Sequence, residues 1–542
     1  MLRISALGMA AVLFLSSTLC PPSVVGEAPV AASEPLYGVE HPLVQSIELL
    51  YSRSNLAFPT ATYPVVRSEL YSAARRLQKN AQSLAERDRV EAFLVRLGYS
   101  PDAYHYELST NLVAQAYLPD GLRYDDYADL SAKGNSVATI QGGAVRDAHA
   151  ALFVQVELGR EFAAFTDDRP YTNLPIYENG IPFVGEYAEV MAAYLHYELG
   201  DAEIVLGRAP FFVGPSPFSS LHVAQEVPFL DAVRLSLPLG AVRFHWLAAT
   251  LENRRARGEP ERGELPIGYD YGRNIILYNL QRVEFSHKRM RAGLGVQAIT
   301  ARRDNMFLLS DLFAAATGLY SESPASNLSV VGDVSLVLRP GLVGFLQSGF
   351  DAIDLEAFGA EQSVAPSIFA LLGGVRVRSE GPRAIWDGVL EIGDTHYLWG
   401  SFDDAEYLSR AIYRRELVGE SEYMALSSPY GPGVTWLRTR VGVESVDGLD
   451  FGMELLLRWS NSVAGLTALR DEAGAYRDDS VVATAARDFA LGFGGELGYR
   501  PREHTRIAAA PAVQLRSSEA WVEIILSIES SFTHVDSVVP VH

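Results

Sequence analysis

Two serines and a histidine that stand close together are the first candidates for chemistry. Ser219, Ser220 and His222 fall within four consecutive positions, and a serine hydroxyl beside an imidazole is the core of nucleophilic hydrolysis. The chain lacks the Gly-x-Ser-x-Gly turn that exposes the serine in α/β-hydrolases. We therefore predict no catalytic residue and a non-enzymatic protein, with a hydrolase as the alternative that variants of these three residues would test.

A second pattern places opposite charges two positions apart. Arg282 and Glu284 would point to the same side of a strand, where they can pair with charges on neighbouring strands. If the strand crosses a membrane, a charge facing lipid is costly, so these residues and Arg208 are predicted to line a lumen. The predicted role is structural, and ligand contact is the alternative.

Patterns for metal ions are weak. Asp351 with Asp354, and Asp403 with Asp404, offer carboxylates for calcium but lack the ligand string and glycine of an EF-hand loop. The eleven histidines contain no pair at metal-ligand spacing. The sequence therefore predicts neither a metal nor a cofactor.

The serines belong to a stretch from Gly207 to Gly240 that falls into two parts. Glycines and prolines punctuate it through Val227, whereas residues 231–239 alternate like a strand, and 194–206 is predicted to be one strand before it. Long loops between strands commonly carry function, so the hypothesis is a plug that folds inward, with a surface excursion as the alternative. The plug-loop motif consists of Gly207, Gly214, Pro215, Ser219, Ser220 and Pro228.

The N-terminal region predicts export followed by helices. A positive start, an apolar core and small residues make residues 1–26 a signal peptide that contains the sole cysteine, Cys20, and residues 27–40 a flexible tether. Residues 41–106 contain three amphipathic segments, which open at Pro42, at Pro64 and at Leu84, and Gly98 is placed to end the third. They predict a small α-helical bundle.

Residues 107–542 have the two-residue period of strands. The chain of 542 residues is 48% hydrophobic and only 20% charged, and after the N-terminus it has no uninterrupted apolar run of helical-span length. Alternating segments of roughly ten residues are typical of an outer-membrane barrel, so we predict a mainly β protein, a transmembrane antiparallel β-barrel with about 16–18 strands. A soluble β-sandwich array is the alternative. The last strand is predicted to end near Phe532, and six tryptophans near predicted strand ends fit a membrane barrel: Trp246, Trp386, Trp399, Trp436, Trp459 and Trp521.

Five stretches in this order resemble the capsule-assembly Wzi family of outer-membrane proteins. They are Gly207-Arg208 with Gly214-Pro215, Ser219-Ser220-Leu221 and Pro228-Phe229; Leu277 to Glu284 with its Arg/Glu pair; Asn327, Gly332-Asp333 and Gln347 to Asp351; Tyr430-Gly431-Pro432-Gly433; and Asn55, Phe58-Pro59 and Tyr63-Pro64. One departure is that Phe211-Phe212-Val213 stand where the family usually has tryptophan before Gly-Pro.

The resemblance implies a lectin-like barrel in the cell outer membrane, with the helical domain in the periplasm. Its partners would be polysaccharide or another surface glycan and outer-membrane lipid; with a net charge of -21 it has no electrostatic reason to bind nucleic acid, and we expect a monomer. Aromatic rings can stack on sugars while planar polar groups bind hydroxyls, which makes Tyr269, Asp270, Tyr271 and Arg273 candidates; an ordinary polar loop is the alternative. The rival function is a porin or transport channel for small solutes.

Overall fold

The computed structural model describes the chain from residue 36 to residue 538, with gaps. The described residues are 36–81, 83–98, 104–118, 136–146, 150–162, 184–225, 227, 229–251, 275–302, 325–352, 367–381, 383–396, 399, 401–404, 407–410, 412–417, 420–427, 430, 433–445, 447–461, 487–502, 504–516 and 520–538.

Three helices lie near the N-terminus: α1 (Pro42–Arg53), α2 (Arg67–Asn80) and α3 (Leu84–Leu97). Local signals explain two of them. Pro42 starts α1 behind the cap of His41, whose Nδ1 accepts from Leu43 N at 3.2 Å. Ser83 and Glu86 form a capping box on α3, and Gly98 ends it with a φ of 58°.

The second helix begins later than the sequence pattern predicts. Helical structure was expected from Pro64, but residues Val65–Val66 form a short strand, β3, that pairs with Leu36–Tyr37 (β1). Apolar side chains of all three helices share one buried cluster with members of both short strands: Leu43, Ile47, Leu70, Leu77, Phe93, Leu97, Tyr37 and Val65. Within the described residues, no helix is both long and apolar enough to cross a membrane.

The remaining elements are strands. They are β2 (Thr62–Tyr63), β4 (Tyr104–Leu118), β5 (Ser136–Arg146), β6 (Ala150–Phe162), β7 (Val184–Leu199), β8 (Ala202–Ala209), β9 (Phe212–Val213), β10 (Leu230–Leu239), β11 (Val242–Leu251), β12 (Ile275–His287), β13 (Met290–Arg302), β14 (Ala325–Arg339), β15 (Leu342–Ala352), β16 (Ile368–Glu380), β17 (Ala384–Thr395), β18 (Ser401–Asp404), β19 (Tyr407–Arg410), β20 (Ile412–Leu417), β21 (Glu420–Ala425), β22 (Val434–Ser445), β23 (Leu449–Asn461), β24 (Arg487–Arg502), β25 (Thr505–Arg516) and β26 (Ala520–Val538).

Eighteen of these strands close into one antiparallel barrel, at the upper end of the predicted number. Closure joins the last strand, β26, to the first, β4, from Ile524 opposite Leu118 to Val538 opposite Tyr104. Pairing of β17 with β22 completes the ring, so the β18–β19 hairpin is an appendage that also touches β14. A closed barrel pairs every strand edge, which satisfies the backbone hydrogen bonds without water.

The barrel wall is apolar outside. Leu206, Leu294, Ile392 and Leu497 are each more than half exposed on the outer face. A continuous belt of this kind is unfavourable in water and suits lipid, as in transmembrane barrels.

The tryptophans divide between the two faces. Trp386 and Trp459 are exposed on the outside, at 53% and 37%. Trp399 and Trp436 instead belong to a buried interior cluster, where their indole N–H groups reach Ser427 Oγ (3.1 Å) and Glu391 Oε1 (2.9 Å). Trp436 lies near the start of β22, as predicted, but its ring and that of Trp399 face the interior and not the lipid.

The two ends of the barrel differ. At one end the strands are joined by short turns, such as Gly200–Asp201 between β7 and β8 and Gly240–Ala241 between β10 and β11. The longer connections, including residues 252–274, all join strands at the opposite end. The helices contact the short-turn end: Ala57 N donates to Lys288 O at 2.7 Å, and Arg376 on β16 pairs with Glu48 on α1 at 2.9 Å.

Two strand boundaries differ from the prediction. Residues 194–206 do not form one strand, because the chain reverses at Gly200–Asp201 and continues as β8; Gly200 supplies the positive φ, 62°, that this turn needs. The last strand continues six residues beyond Phe532, because β4 offers it partners as far as Tyr104.

Candidate functional site

The stretch that follows β8 turns into the barrel. Residues 210–225, here called the crossing segment, are buried almost throughout: Ser220, Leu221 and His222 have no measurable exposure, and Ser219 is 1% exposed. Gly207, near the end of β8, has a φ of 123°, which residues with a side chain rarely adopt. A Cβ at this position would also lie 2.3 Å from Ala193 O, so the backbone before the crossing segment requires glycine.

Hydrogen bonds tie the crossing segment to strands around the barrel. Leu221 N donates to Gln347 Oε1 on β15 at 2.9 Å, and Ser219 Oγ donates to Glu391 Oε1 on β17 at 2.5 Å. His222 Nδ1 lies 2.8 Å from Gln297 Oε1 on β13. The segment leaves the wall at β8 and bonds to β13, β15 and β17, so it spans the lumen.

A second piece of chain enters from the helical end. Residues 57–63, the inserted segment, meet the crossing segment inside the barrel, where Gly214 N donates to Ala61 O at 2.9 Å. Short strands β2 and β9 pair in the same place, with Thr62 opposite Val213 and Tyr63 opposite Phe212. The two segments therefore form one joined filling.

Glu284 on β12 holds the inserted segment to the wall. Its Oε1 accepts from Ala61 N at 3.0 Å and from Thr62 Oγ1 at 2.9 Å, and its Oε2 accepts from Thr60 Oγ1 at 2.7 Å. Wall residues complete the contacts: Arg282 Nε at 3.0 Å and His245 Nε2 on β11 at 3.2 Å. A buried carboxylate with this many donors is fully compensated for the loss of water.

Arg282 links the same network to the crossing segment. Its Nη1 forms an ion pair with Asp333 Oδ2 on β14 at 2.6 Å and lies 3.4 Å from His222 Nε2. Because the Arg282 guanidinium can only donate, His222 Nε2 is the acceptor of this contact, so the ring is neutral. The neutral ring donates from Nδ1 to Gln297 and accepts at Nε2 from Arg282.

Glycines in the wall make room for these groups. A Cβ on Gly293 would lie 2.2 Å from Arg282 Nη2, and one on Gly295 would lie 2.6 Å from His222 Cε1. The indole rings of Trp399 and Trp436 lie over Gly349 and Gly393. A Cβ on these glycines would be 2.3 Å and 2.1 Å from the respective ring. Interior side chains thus lie flat on bare backbone, which a Cβ would prevent.

Arg208 does not share this interior. Strand alternation puts it on the same side of β8 as the exposed Leu206, whereas the buried Val205 and Ala209 face inward. Its Nε and Nη2 each bond to Asp231 at 2.8 Å, and its guanidinium stacks 3.9 Å from the ring centre of Phe229. Arg208 was predicted to line the lumen, but the strand pairing puts it on the outer side of β8.

The remaining predicted residues divide into two groups. Tyr269, Asp270, Tyr271, Arg273 and Pro228 lie outside the described residues. Ser219, Ser220 and His222 are described, but the imidazole bonds to Gln297 and neither hydroxyl donates to it: Ser219 donates to Glu391, and Ser220 donates to Val213 O. This is not the serine–histidine contact that nucleophilic catalysis requires.

Several interior residues gave little sequence signal. Thr60, Thr62 and His245 reach Glu284 from distant parts of the chain, and no local pattern connects them. Glu391 did give a sequence signal. It interrupts an apolar strand between Leu390 and Ile392, as an inward-facing charge in a membrane wall does.

No family model matches the sequence, and no curated protein matches it. Among solved structures, Wzi, an outer-membrane protein involved in group 1 capsule assembly in Escherichia coli and a carbohydrate-binding β-barrel, superposes with a TM-score of 0.56 at 13% identity, over 92% of this chain and 99% of that one. Pseudomonas aeruginosa OccK3 (OpdO) gives a TM-score of 0.40 at 9% identity, over 79% and 96%. Pseudomonas aeruginosa OpdK with vanillate gives 0.38 at 12%, over 80% and 99%. The likeness to Wzi is one of fold, that of an outer-membrane β-barrel.

Proposed function

We propose that this protein is a non-enzymatic, monomeric outer-membrane barrel that binds or anchors surface polysaccharide. The observation that carries the proposal is the filled lumen: the crossing segment bonds to Gln297, Gln347 and Glu391 on three separate strands and joins the inserted segment at Ala61. An interior occupied by hydrogen-bonded chain suits a binding protein better than an open conduit. The Wzi-like fold supports the same function by analogy.

The asymmetry of the barrel supports an orientation. Barrels of bacterial outer membranes have short turns on the periplasmic side and longer loops outside. By that rule the helices, which contact the short-turn end, form a periplasmic domain, and residues 252–274 face the exterior. Tyr269, Asp270, Tyr271 and Arg273 would then be placed to meet glycan at the cell surface, with the rings stacking on sugar faces.

A glycan array probed with the purified full chain tests this function. We expect binding to at least one polysaccharide that falls tenfold or more in Tyr269→Ala and Tyr271→Ala. Tyr71→Ala, which removes an aromatic ring from α2 at the opposite end, is the control and should bind as the wild type does. Binding that is absent, or that survives in both loop variants, would contradict the proposal.

The alternative is a channel for small solutes. It requires the crossing segment to leave the lumen, which would break the buried hydrogen bonds of Ser219, Leu221 and His222 to the barrel wall. Conductance measurements on the intact protein separate the two functions.

A further inference from the structure

A small cavity lies between α1 and the barrel wall at the short-turn end. Its volume is about 70 Å³, and its polar lining consists of Glu48, Ser52, Arg291, Ser335, Arg376 and Arg378. Three arginines around so small a space are unusual, because like charges repel and buried charges need partners. We propose that this cavity binds a small oxyanion, a carboxylate or phosphate group of a solute or macromolecule on the helical side of the barrel.

Two of the three arginines at the cavity pair directly with carboxylates. Arg376 pairs with Glu48 at 2.9 Å and with Asp387 at 3.3 Å, and Arg378 pairs with the same Asp387. Glu48 and Asp387 therefore pair with two of the three guanidinium groups, and the charge of the third, Arg291, is opposed at longer range by the buried carboxylate of Glu284. In the described part of the chain no carboxylate forms an ion pair with Arg291, whose partners are the neutral Thr60 O and Ser335 Oγ (2.9 Å).

Unused donors point to the same ligand. Arg291 is only 6% exposed, yet its Nε–H has no hydrogen-bond acceptor, and the Nε–H of Arg376 has none either. Leaving a buried donor without an acceptor costs more free energy when the donor belongs to a charged group than when it belongs to a neutral one. An oxyanion in the cavity would supply acceptor oxygens to both arginines, in the geometry that guanidinium groups bind best.

The size of the cavity limits the ligand. A single water needs roughly 15 Å³ of such space, so the cavity holds the equivalent of about five waters. That suits a group of a few heavy atoms, such as a carboxylate or a phosphate. The site is at the short-turn end of the barrel, whereas β11 ends and β12 begins at the other end, so it is independent of the proposed glycan surface.

Isothermal titration of the purified full chain with sodium acetate and with inorganic phosphate, at constant ionic strength, tests the site. We expect one saturable site for at least one anion, weakened tenfold or more in Arg291→Gln and in Arg376→Gln. Arg500→Gln is the control, because Arg500 lies at the same barrel end but is already paired with Glu444 and Asp450. Saturation by acetate alone assigns a carboxylate ligand, and saturation by phosphate alone assigns a phosphate.

The wild-type titration decides the question even if a variant fails to fold. No saturable binding of either anion overturns the proposal, since the cavity would then hold water only. Unchanged affinity in both arginine variants, with a folded barrel verified by heat-modifiable electrophoretic mobility, overturns it as well.

Discussion

Thr60 of the inserted segment donates to the carboxylate of Glu284 on β12 at 2.7 Å, across 224 positions of sequence. Through this contact the inserted segment, which connects α1 to α2, is fixed inside the barrel. Glu284 also binds Arg282, which reaches His222 of the crossing segment. One carboxylate therefore connects the wall to both segments that fill the lumen.

Replacing Glu284 by alanine should destabilise the protein strongly. The change removes the acceptor of the Arg282 Nε–H, of His245 Nε2 and of the Thr60–Thr62 donors, while Arg282 keeps its ion pair with Asp333. Breaking a buried ion pair costs about 3–5 kcal/mol. The measurement is the free energy of unfolding in detergent micelles from a denaturant titration. Glu496→Ala is the control, because Glu496 pairs with Arg506 near the surface at 38% exposure and should matter by less than about 1 kcal/mol. Equal losses in the two variants would refute the role assigned to Glu284.

Removing the crossing segment should open the barrel. Ala209 and Leu230 are already paired across β8 and β10, so a deletion of residues 210–226 leaves three residues to close the connection without distorting either strand. In planar bilayers we expect the intact protein to show no stable conductance and the deletion variant to conduct steadily. Steady conductance from the intact protein would instead favour the channel.

Two glycines on β17 allow the effect of a steric clash to be distinguished from the effect of replacing glycine by alanine in a strand. A Cβ on Gly393 would lie 2.1 Å from the buried Trp436 ring, whereas one on Gly388 meets nothing within 4 Å. Trp436 cannot move away freely, because it is fully buried and bonded to Glu391. We expect Gly393→Ala to lower the free energy of unfolding by about 1–3 kcal/mol and Gly388→Ala to leave it nearly unchanged. A Gly393→Ala variant as stable as the wild type would show that the indole does not depend on the bare backbone.

Acid should loosen α1. Burial, and then the charge of Arg96, lower the pKa of His41 to about 4, below the ordinary value of 6.5 that it regains on unfolding. Between these values the unfolded state binds more protons, so this contribution to stability is complete above pH 6.5 and is lost as the pH falls toward 4. Hydrogen exchange of the α1 amides should therefore accelerate over this range.

His41→Asn isolates that effect. Asparagine is a good N-cap but does not titrate, so it can replace the acceptor that His41 presents to Leu43 N. Exchange in this variant should depend less on pH than in the wild type between pH 6.5 and 4. Identical pH profiles would assign the acid sensitivity to another group.

Repeating local patterns let the sequence predict much of the fold. Strand alternation needs only neighbouring residues, so the barrel class and an approximate strand count were accessible, as were α1 and α3, whose ends are set by Pro42, Ser83 and Gly98. The inward fold of the Gly/Pro-rich stretch was a hypothesis, and the crossing segment does run through the interior.

Long-range pairing decided the rest. The two-residue period alone leaves the register of neighbouring strands open. That register decides which face of β8 carries Arg208 and where β26 ends. It also decides whether Trp436 points to lipid or to the lumen. The partners of Glu284 come from residues 60–62, 245 and 282, and only closure of the barrel brings them together. The sequence by itself therefore determined the elements and their amphipathic faces, because these follow from local geometry. The tertiary structure alone decided what fills the lumen, because that depends on contacts between residues hundreds of positions apart.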